Sequence, residues 1–126
     1  MLESVINLLK KEEVDYEFED NKEAEIVDFQ VKLSYGLVNC EFSYEKETGY
    51  IRFYSELMEF EITGTEDALE LEDNINADSI FLKAYLDDDL VLCIEYYLKG
   101  VPLTEQLAGD ILDEFVELDE KVKDYV

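Results

Sequence analysis

Residues 80–126 constrain the fold more than any other part of the chain. Two apolar runs, IFLKAYL and LVLCIEYYLKG, are separated by the acidic residues 87–89 and predict a β-hairpin. After Gly100 and Pro102 the apolar residues recur at intervals of three and four, which predicts one long amphipathic helix as far as Val126. A hairpin followed by such a helix indicates a sheet that is covered by helices on one face.

The residues before this block extend the same pattern. Residues 1–11 predict a short amphipathic helix, and Thr65 is expected to cap a middle helix that ends near Asn76. Strands are predicted over residues 14–18, 27–33, 37–45 and 50–57, the last two joined by a turn at 46–49. The sequence therefore predicts one α+β domain spanning residues 1–126. Its twisted antiparallel sheet of five to six strands carries the amino- and carboxy-terminal helices on one face, with the middle helix between strands.

Strand alternation separates two faces of the predicted sheet. With residues 87–89 as the turn, Leu86 should lie opposite Leu90 and Ile80 opposite Tyr96, on the face that meets the helices. The other face carries an aromatic set with one cation: Tyr50, Arg52, Tyr54, Tyr85, Cys93 and Tyr97. This set is either cross-strand packing on a half-exposed sheet or a surface that binds a protein or a second copy, because Tyr and Arg are favoured at interfaces.

The charge of the chain excludes several classes of partner. Ten Lys and Arg residues stand against 34 Asp and Glu residues, a net charge of -24, so the surface repels nucleic acid phosphates and anionic membranes. A signal-peptide pattern and a continuous apolar run of membrane-spanning length are both absent from the sequence. We therefore expect a cytoplasmic protein that binds neither nucleic acid nor membrane directly.

Residue patterns that carry chemistry are missing from the sequence. There is no His, so Cys40 and Cys93 lack both zinc co-ligands and a general base, and strand alternation places the two thiols on opposite faces. The acidic turn at residues 87–89 lacks the Gly and the distal Glu of a calcium loop. We expect a protein that is not an enzyme and has no catalytic, cofactor or metal site.

The run NINADSIFLKAYLDDDLVLCIEYYLKGVPLTEQLAGDILDEFVEL, within residues 74–121, resembles the YbjN family, whose members are similar in fold to type III secretion chaperones. The shared features are an Asn-containing helix end, a strand that closes in KAYLDDD, a second apolar strand, and a helix that starts with Thr-Glu-Gln-Leu. The resemblance implies a non-enzymatic, chaperone-like or regulatory protein-binding domain that acts as a homodimer. It does not identify the partner.

An alternative function comes from the acidic face of the last helix. This face could mimic the phosphates of nucleic acid and so bind a basic DNA-binding protein. Its members are Glu105, Asp110, Asp113, Glu114, Glu117 and Asp124. A face of this kind is also typical of a helix whose polar side is simply solvated.

Overall fold

The computed structural model describes residues 1–60 and 64–125, and it contains helices and strands in the predicted order. The strands are β1 Tyr16–Asp20, β2 Ala24–Leu33, β3 Gly36–Glu45, β4 Tyr50–Glu59, β5 Lys83–Leu86 and β6 Val91–Lys99. The helices are α1 Glu3–Lys11, α2 Thr65–Asp78, α3 Glu105–Glu117 and α4 Asp119–Val122, followed by a 3₁₀ turn at Lys123–Tyr125. No helix in the described ranges is both long and apolar enough to span a membrane.

The six strands form one antiparallel sheet in the order β1-β2-β3-β4-β6-β5, which confirms the predicted α+β fold. Helices α1 and α3 cover one face, and α2 lies against β5. The Ser4 hydroxyl of α1 donates to the Leu103 carbonyl just before α3 (2.7 Å), so the two helices are also joined to each other. We call the covered side the inner face and the opposite side the outer face.

The core fills the space between the inner face and the helices. The ring of Phe53 lies 5.1 Å from that of Phe42 and 5.4 Å from that of Phe115, with the planes inclined to each other, so the sheet and α3 share one aromatic cluster. Val5 of α1 and Leu71 of α2 are also fully buried. Removing this apolar area from water is the main term that stabilises the fold.

The hairpin of β3 and β4 has the predicted turn and register. Residues 46–49 form the turn, Gly49 takes a positive φ of 78°, and its N–H donates to the Glu45 carbonyl (2.8 Å). Phe42 lies opposite Phe53 on the inner face, as strand alternation predicts. The faces of this hairpin could be predicted because its side chains alternate along each strand, and Gly49 supplies the positive φ that the turn needs.

The second hairpin differs from the predicted register by two residues. Leu86 pairs with Leu92 instead of Leu90, and the turn is formed by residues 88–90. The Asp87 carboxylate explains the shift, because its Oδ1 accepts the N–H groups of Asp89 (2.9 Å) and Val91 (3.0 Å) and so closes the turn one residue later. A shift of two residues keeps every side chain on its predicted face.

The prediction that Ile80 lies on the inner face opposite Tyr96 is wrong. Strand β5 begins only at Lys83, and the Ile80 side chain is 85% exposed. The Glu114 carboxylate of α3 is the reason. It accepts the backbone N–H groups of Ile80 (3.1 Å), Phe81 (3.0 Å) and Leu82 (2.8 Å), and these donors are therefore not available to a sheet ladder.

The predicted long carboxy-terminal helix is divided in two. Thr104 caps α3 as expected, since its Oγ1 accepts the Leu107 N–H (3.1 Å). The helix is interrupted at Leu118, whose N–H bonds back to Phe115 with the tighter three-residue spacing (3.1 Å). Directly after the break, Asp119 accepts the N–H (3.0 Å) and hydroxyl (2.7 Å) of Ser34. The predicted helix end at Val126 lies outside the described residues.

Strand β5 lies at the edge of the sheet, and a side chain of α2 binds the backbone along its free edge. Asn76 Oδ1 accepts the Ala84 N–H (2.8 Å), and Asn76 Nδ2 donates to the Ala84 carbonyl (3.0 Å). One side-chain amide thus makes the two hydrogen bonds that a neighbouring strand would make. The helix itself begins at Thr65 with Gly64 as the N-cap residue, one position earlier than predicted.

A backbone position at the end of α1 gives a prediction on stability. Glu13 has a φ of 56°, and the Val14 N–H donates to the Leu9 carbonyl (2.9 Å), the geometry of a helix end that favours Gly. We expect Glu13→Gly to raise the free energy of unfolding by about 0.5–1 kcal/mol in urea denaturation. The matched variant is Glu12→Gly, whose φ of -86° any residue adopts, and it should lower that free energy. Equal effects of the two changes would contradict the prediction.

Candidate protein-binding face

The six predicted site residues lie together on the outer face, over strands β4, β5 and β6. The register places Arg52 opposite Tyr97, and Tyr85 opposite Cys93. In the part of the chain that the structure describes, neither helix of the covering layer lies over this face. The structure thus brings the set together, while its role in binding stays a prediction.

Arg52 is at the centre of the set. Its Nη2 lies 2.8 Å from Glu95 Oε2, and its Nε donates to the same oxygen (3.1 Å). The guanidinium carbon lies 4.1 Å from the centroid of the Tyr54 ring and 5.6 Å from that of Tyr97. The Tyr85 hydroxyl accepts a further, longer bond from Nη2 (3.5 Å). These cation–π and ionic contacts hold one cation among three tyrosine rings.

Tyr50 and Tyr97 extend the set toward the surface. Their rings meet edge to face at 6.0 Å, and the Lys99 ammonium lies 4.8 Å from the centroid of the Tyr50 ring. Tyr97 is 53% exposed and Tyr50 37%, so both retain contact area that the fold itself does not use. Half-exposed aromatic side chains beside an Arg are the composition that protein interfaces favour.

Cys93 lies beneath the tyrosines and is only 1% exposed. Its sulfur is 3.4 Å from the Tyr54 hydroxyl, and both Cys40 and Cys93 are free thiols, as expected for cysteines on opposite faces of a sheet. Burial, together with the nearby Asp87 carboxylate, raises the pKa of the Cys93 thiol. The thiol therefore stays protonated at neutral pH and is a poor nucleophile.

Three further groups of the set, Tyr54, Tyr85 and Arg52, are also held in their ordinary forms by raised pKa values. Burial and the bond to the Cys93 thiol raise the pKa of Tyr54, and burial and Glu95 raise that of Tyr85. Partial burial favours deprotonation of Arg52, but the Glu95 carboxylate outweighs it and raises the pKa of the guanidinium. Tyr54, Tyr85 and Arg52 therefore offer contact area and hydrogen bonds, and the raised pKa values do not activate these three groups for proton transfer.

A row of carboxylates beside this set was not predicted. Glu17, Asp28 and Glu41 are cross-strand neighbours on β1, β2 and β3, and the row continues to Tyr54 on β4. Burial and Glu17 raise the pKa of Asp28, while burial and Asp28 raise that of Glu41. Strand alternation predicts that each of the three carboxylates faces outward, but their alignment depends on two strand registers, and a third register adds Tyr54. The described residues include no group of Asp, Glu and Cys side chains arranged to hold a metal ion.

Comparison with known proteins identifies the fold. No family profile and no curated protein matches the sequence. Among solved structures the chain is similar to YbjN of E. coli, a candidate transcription regulator, with a TM-score of 0.61 and 17% sequence identity. The similarity covers 99% of this chain and 92% of the YbjN chain. The chain therefore has a YbjN-like fold, as the resemblance in residues 74–121 implies.

Proposed function

We propose that this chain is a non-enzymatic protein-binding domain, chaperone-like or regulatory, that acts as a homodimer and binds through its outer face. One observation carries the proposal: on an uncovered sheet face Tyr54, Tyr85 and Tyr97 surround Arg52, and Tyr97 and its neighbour Tyr50 are exposed. The YbjN-like fold supports it, since YbjN is a candidate regulator. The raised pKa values of Cys93 and Tyr54 agree with a role in contact instead of chemistry.

The alternative, a nucleic-acid mimic, has less support from the acidic helix. A mimic needs a row of free carboxylates at regular spacing. Glu114, in the middle of that row, instead binds three backbone N–H groups of residues 80–82. Asp110, Asp113 and Glu117 remain exposed, which is the usual state of the polar side of an amphipathic helix.

Replacing tyrosines on the outer face tests the proposed function. We expect wild-type protein to sediment as a dimer and Tyr85→Glu/Tyr97→Glu to dissociate, with the dissociation constant raised at least tenfold, because two charges then enter an apolar contact. The single change Tyr97→Glu should also raise the dissociation constant, and it should leave the fold intact because Tyr97 is 53% exposed. Circular dichroism of each variant checks that the monomer is folded.

The matched control removes three charges from the acidic face of α3. Asp110→Asn/Asp113→Asn/Glu117→Gln leaves Glu114 and its hydrogen bonds in place. This variant should sediment like the wild type. Dissociation of the control variant, together with a stable dimer of the Tyr97→Glu variant, would show that the outer face is not the binding surface.

A further inference from the structure

The two edge strands of the sheet differ in what lies beside them. Beside β5, helix α2 packs against the strand and the Asn76 amide binds the backbone of Ala84. Beside β1, none of the described residues pairs with the free edge of Tyr16–Asp20 or hydrogen-bonds to its backbone there. An open edge strand presents unpaired N–H and carbonyl groups, to which another extended chain can be added.

The pairing of β1 with β2 shows which backbone groups lie on the free edge. The Asn21 N–H donates to the Ala24 carbonyl (2.9 Å) at the end of this pair. In antiparallel pairing alternate residues bond to the neighbouring strand, so Glu17 and Glu19 are the residues of β1 that bond to β2. The N–H and carbonyl of Phe18, between them, therefore point away from the sheet. A partner strand can bond to Phe18 without displacing any bond of the fold.

The side chains of β1 are apolar on one side of the sheet and acidic on the other. Phe18 lies on the inner face opposite the buried Val27, but 46% of the Phe18 side chain remains exposed. Glu17 and Glu19 are exposed on the outer face. A strand added at this edge places one set of its side chains beside Phe18 and the alternate set beside the two glutamates.

The charge of this edge determines the kind of partner that fits it. Residues 12–20 contain six carboxylates and neither Lys nor Arg. Among the described residues, Lys46 pairs with one of these carboxylates, that of Asp20 at the end of the strand. Burial and the charge of Glu17 raise the pKa of the neighbouring Asp28. The acids along β1 therefore repel one another, and cations on an added strand would offset that repulsion.

A second copy of β1 does not fit this edge. Two β1 strands related by a two-fold axis would place the glutamates of one strand beside those of the other, and like charges directly opposite destabilise a strand pair. A strand with Lys or Arg at alternate positions makes pairs of opposite charge at the same places. The acidic side chains thus disfavour self-association at this edge and favour a basic partner.

We propose that the free edge of β1 binds an extended segment of a partner protein in which basic and apolar residues alternate. The basic residues pair with Glu17 and Glu19, the apolar residues pack beside Phe18, and the backbone of the segment continues the sheet. Strands β2 and β3 separate this edge from the tyrosines around Arg52. The inference therefore goes beyond the proposed function and does not depend on the homodimer.

A labelled peptide of sequence KVKVKVKV tests the proposal by fluorescence anisotropy, with KKKKVVVV as a control of the same composition and charge. We expect the alternating peptide to bind roughly tenfold more tightly, because it alone places all its lysines on one face of an added strand. Amide hydrogen exchange should show that the Phe18 N–H becomes protected when KVKVKVKV binds, whereas those of Glu17 and Glu19 are protected beforehand. Absence of binding, equal affinity of the two peptides, or an unprotected Phe18 amide would overturn the proposal.

Charge reversal at the edge gives a second test. Glu17→Lys/Glu19→Lys should weaken the binding of KVKVKVKV roughly tenfold, and both side chains are exposed, so the fold should persist. The matched control is Glu66→Lys/Asp73→Lys, which makes the same change in net charge at exposed positions of α2 and should weaken binding no more than about twofold, because salt screens distant charges. Equal weakening by the two variants would show attraction by net charge alone and overturn the proposal. Loss of peptide binding in a chain that still dimerises would leave the proposed function in place.

Discussion

Glu114→Ala should lower the free energy of unfolding by about 3 kcal/mol in urea denaturation. The change removes a carboxylate that accepts the N–H groups of Ile80, Phe81 and Leu82, and a single hydrogen bond to a charged group contributes about 1.5–3 kcal/mol to stability. Water can reach Ile80, which is exposed, more easily than it can reach Leu82, which is buried. The expected loss is therefore well below the sum of three separate bonds.

The matched control is Glu117→Ala, one turn further along α3 at an exposed position. It should change the free energy of unfolding by no more than about 0.5 kcal/mol, as is usual for a solvated side chain. The loss of unfolding free energy for Glu114→Gln should lie between those for Glu114→Ala and Glu117→Ala. The glutamine amide keeps one oxygen acceptor but places a donor beside the remaining N–H groups. Equal effects of Glu114→Ala and Glu117→Ala would show that the carboxylate does not hold residues 80–82.

Asn76→Ala should lower the free energy of unfolding by about 2 kcal/mol. The change leaves both the N–H and the carbonyl of Ala84 without the partners that the Asn76 amide provides (2.8 and 3.0 Å). Asn76→Asp separates the two bonds, because a carboxylate can still accept from the N–H but cannot donate to the carbonyl. Asn76→Asp should therefore lower the free energy of unfolding by at least the contribution of one hydrogen bond, about 1 kcal/mol.

Asn74→Ala provides the comparison for this position. Asn74 is exposed on the same helix, and the same substitution there changes helix propensity in the same direction without touching β5. We expect it to be neutral or slightly stabilising. If both alanine variants unfold at the same urea concentration, the Asn76 amide does not act as the neighbour of the edge strand.

Periodic apolar patterns predicted the elements of this fold because each pattern spans a whole strand or helix. The faces of the β3–β4 hairpin followed from alternation, and the capping role of Thr104 followed from its place before an apolar stripe. The six outer-face residues could be grouped for the same reason. A two-residue error in the β5–β6 register left their orientation unchanged, since parity decides the face.

Contacts between distant parts of the chain could not be predicted in this way. Glu114 looks like any other acid on a solvated helix face until the fold brings residues 80–82 within hydrogen-bonding distance of it. Asp119 and Ser34 are a pair of the same kind. Asn76 and Ala84 are only eight residues apart, but their contact depends on how α2 packs against β5 and has no local pattern either. The carboxylate row of Glu17, Asp28 and Glu41 depends on two strand registers at once, and a local sequence pattern contains neither of them.

The contacts around Arg52 would reduce the entropic cost of association if the outer face binds a partner as proposed. A free arginine side chain loses about 2 kcal/mol of rotamer freedom when it becomes fixed in an interface. Here Glu95, Tyr54 and Tyr97 already restrict the guanidinium within the single chain. A molecule that binds the outer face meets a cation whose position is set beforehand, and more of the contact energy then appears as affinity.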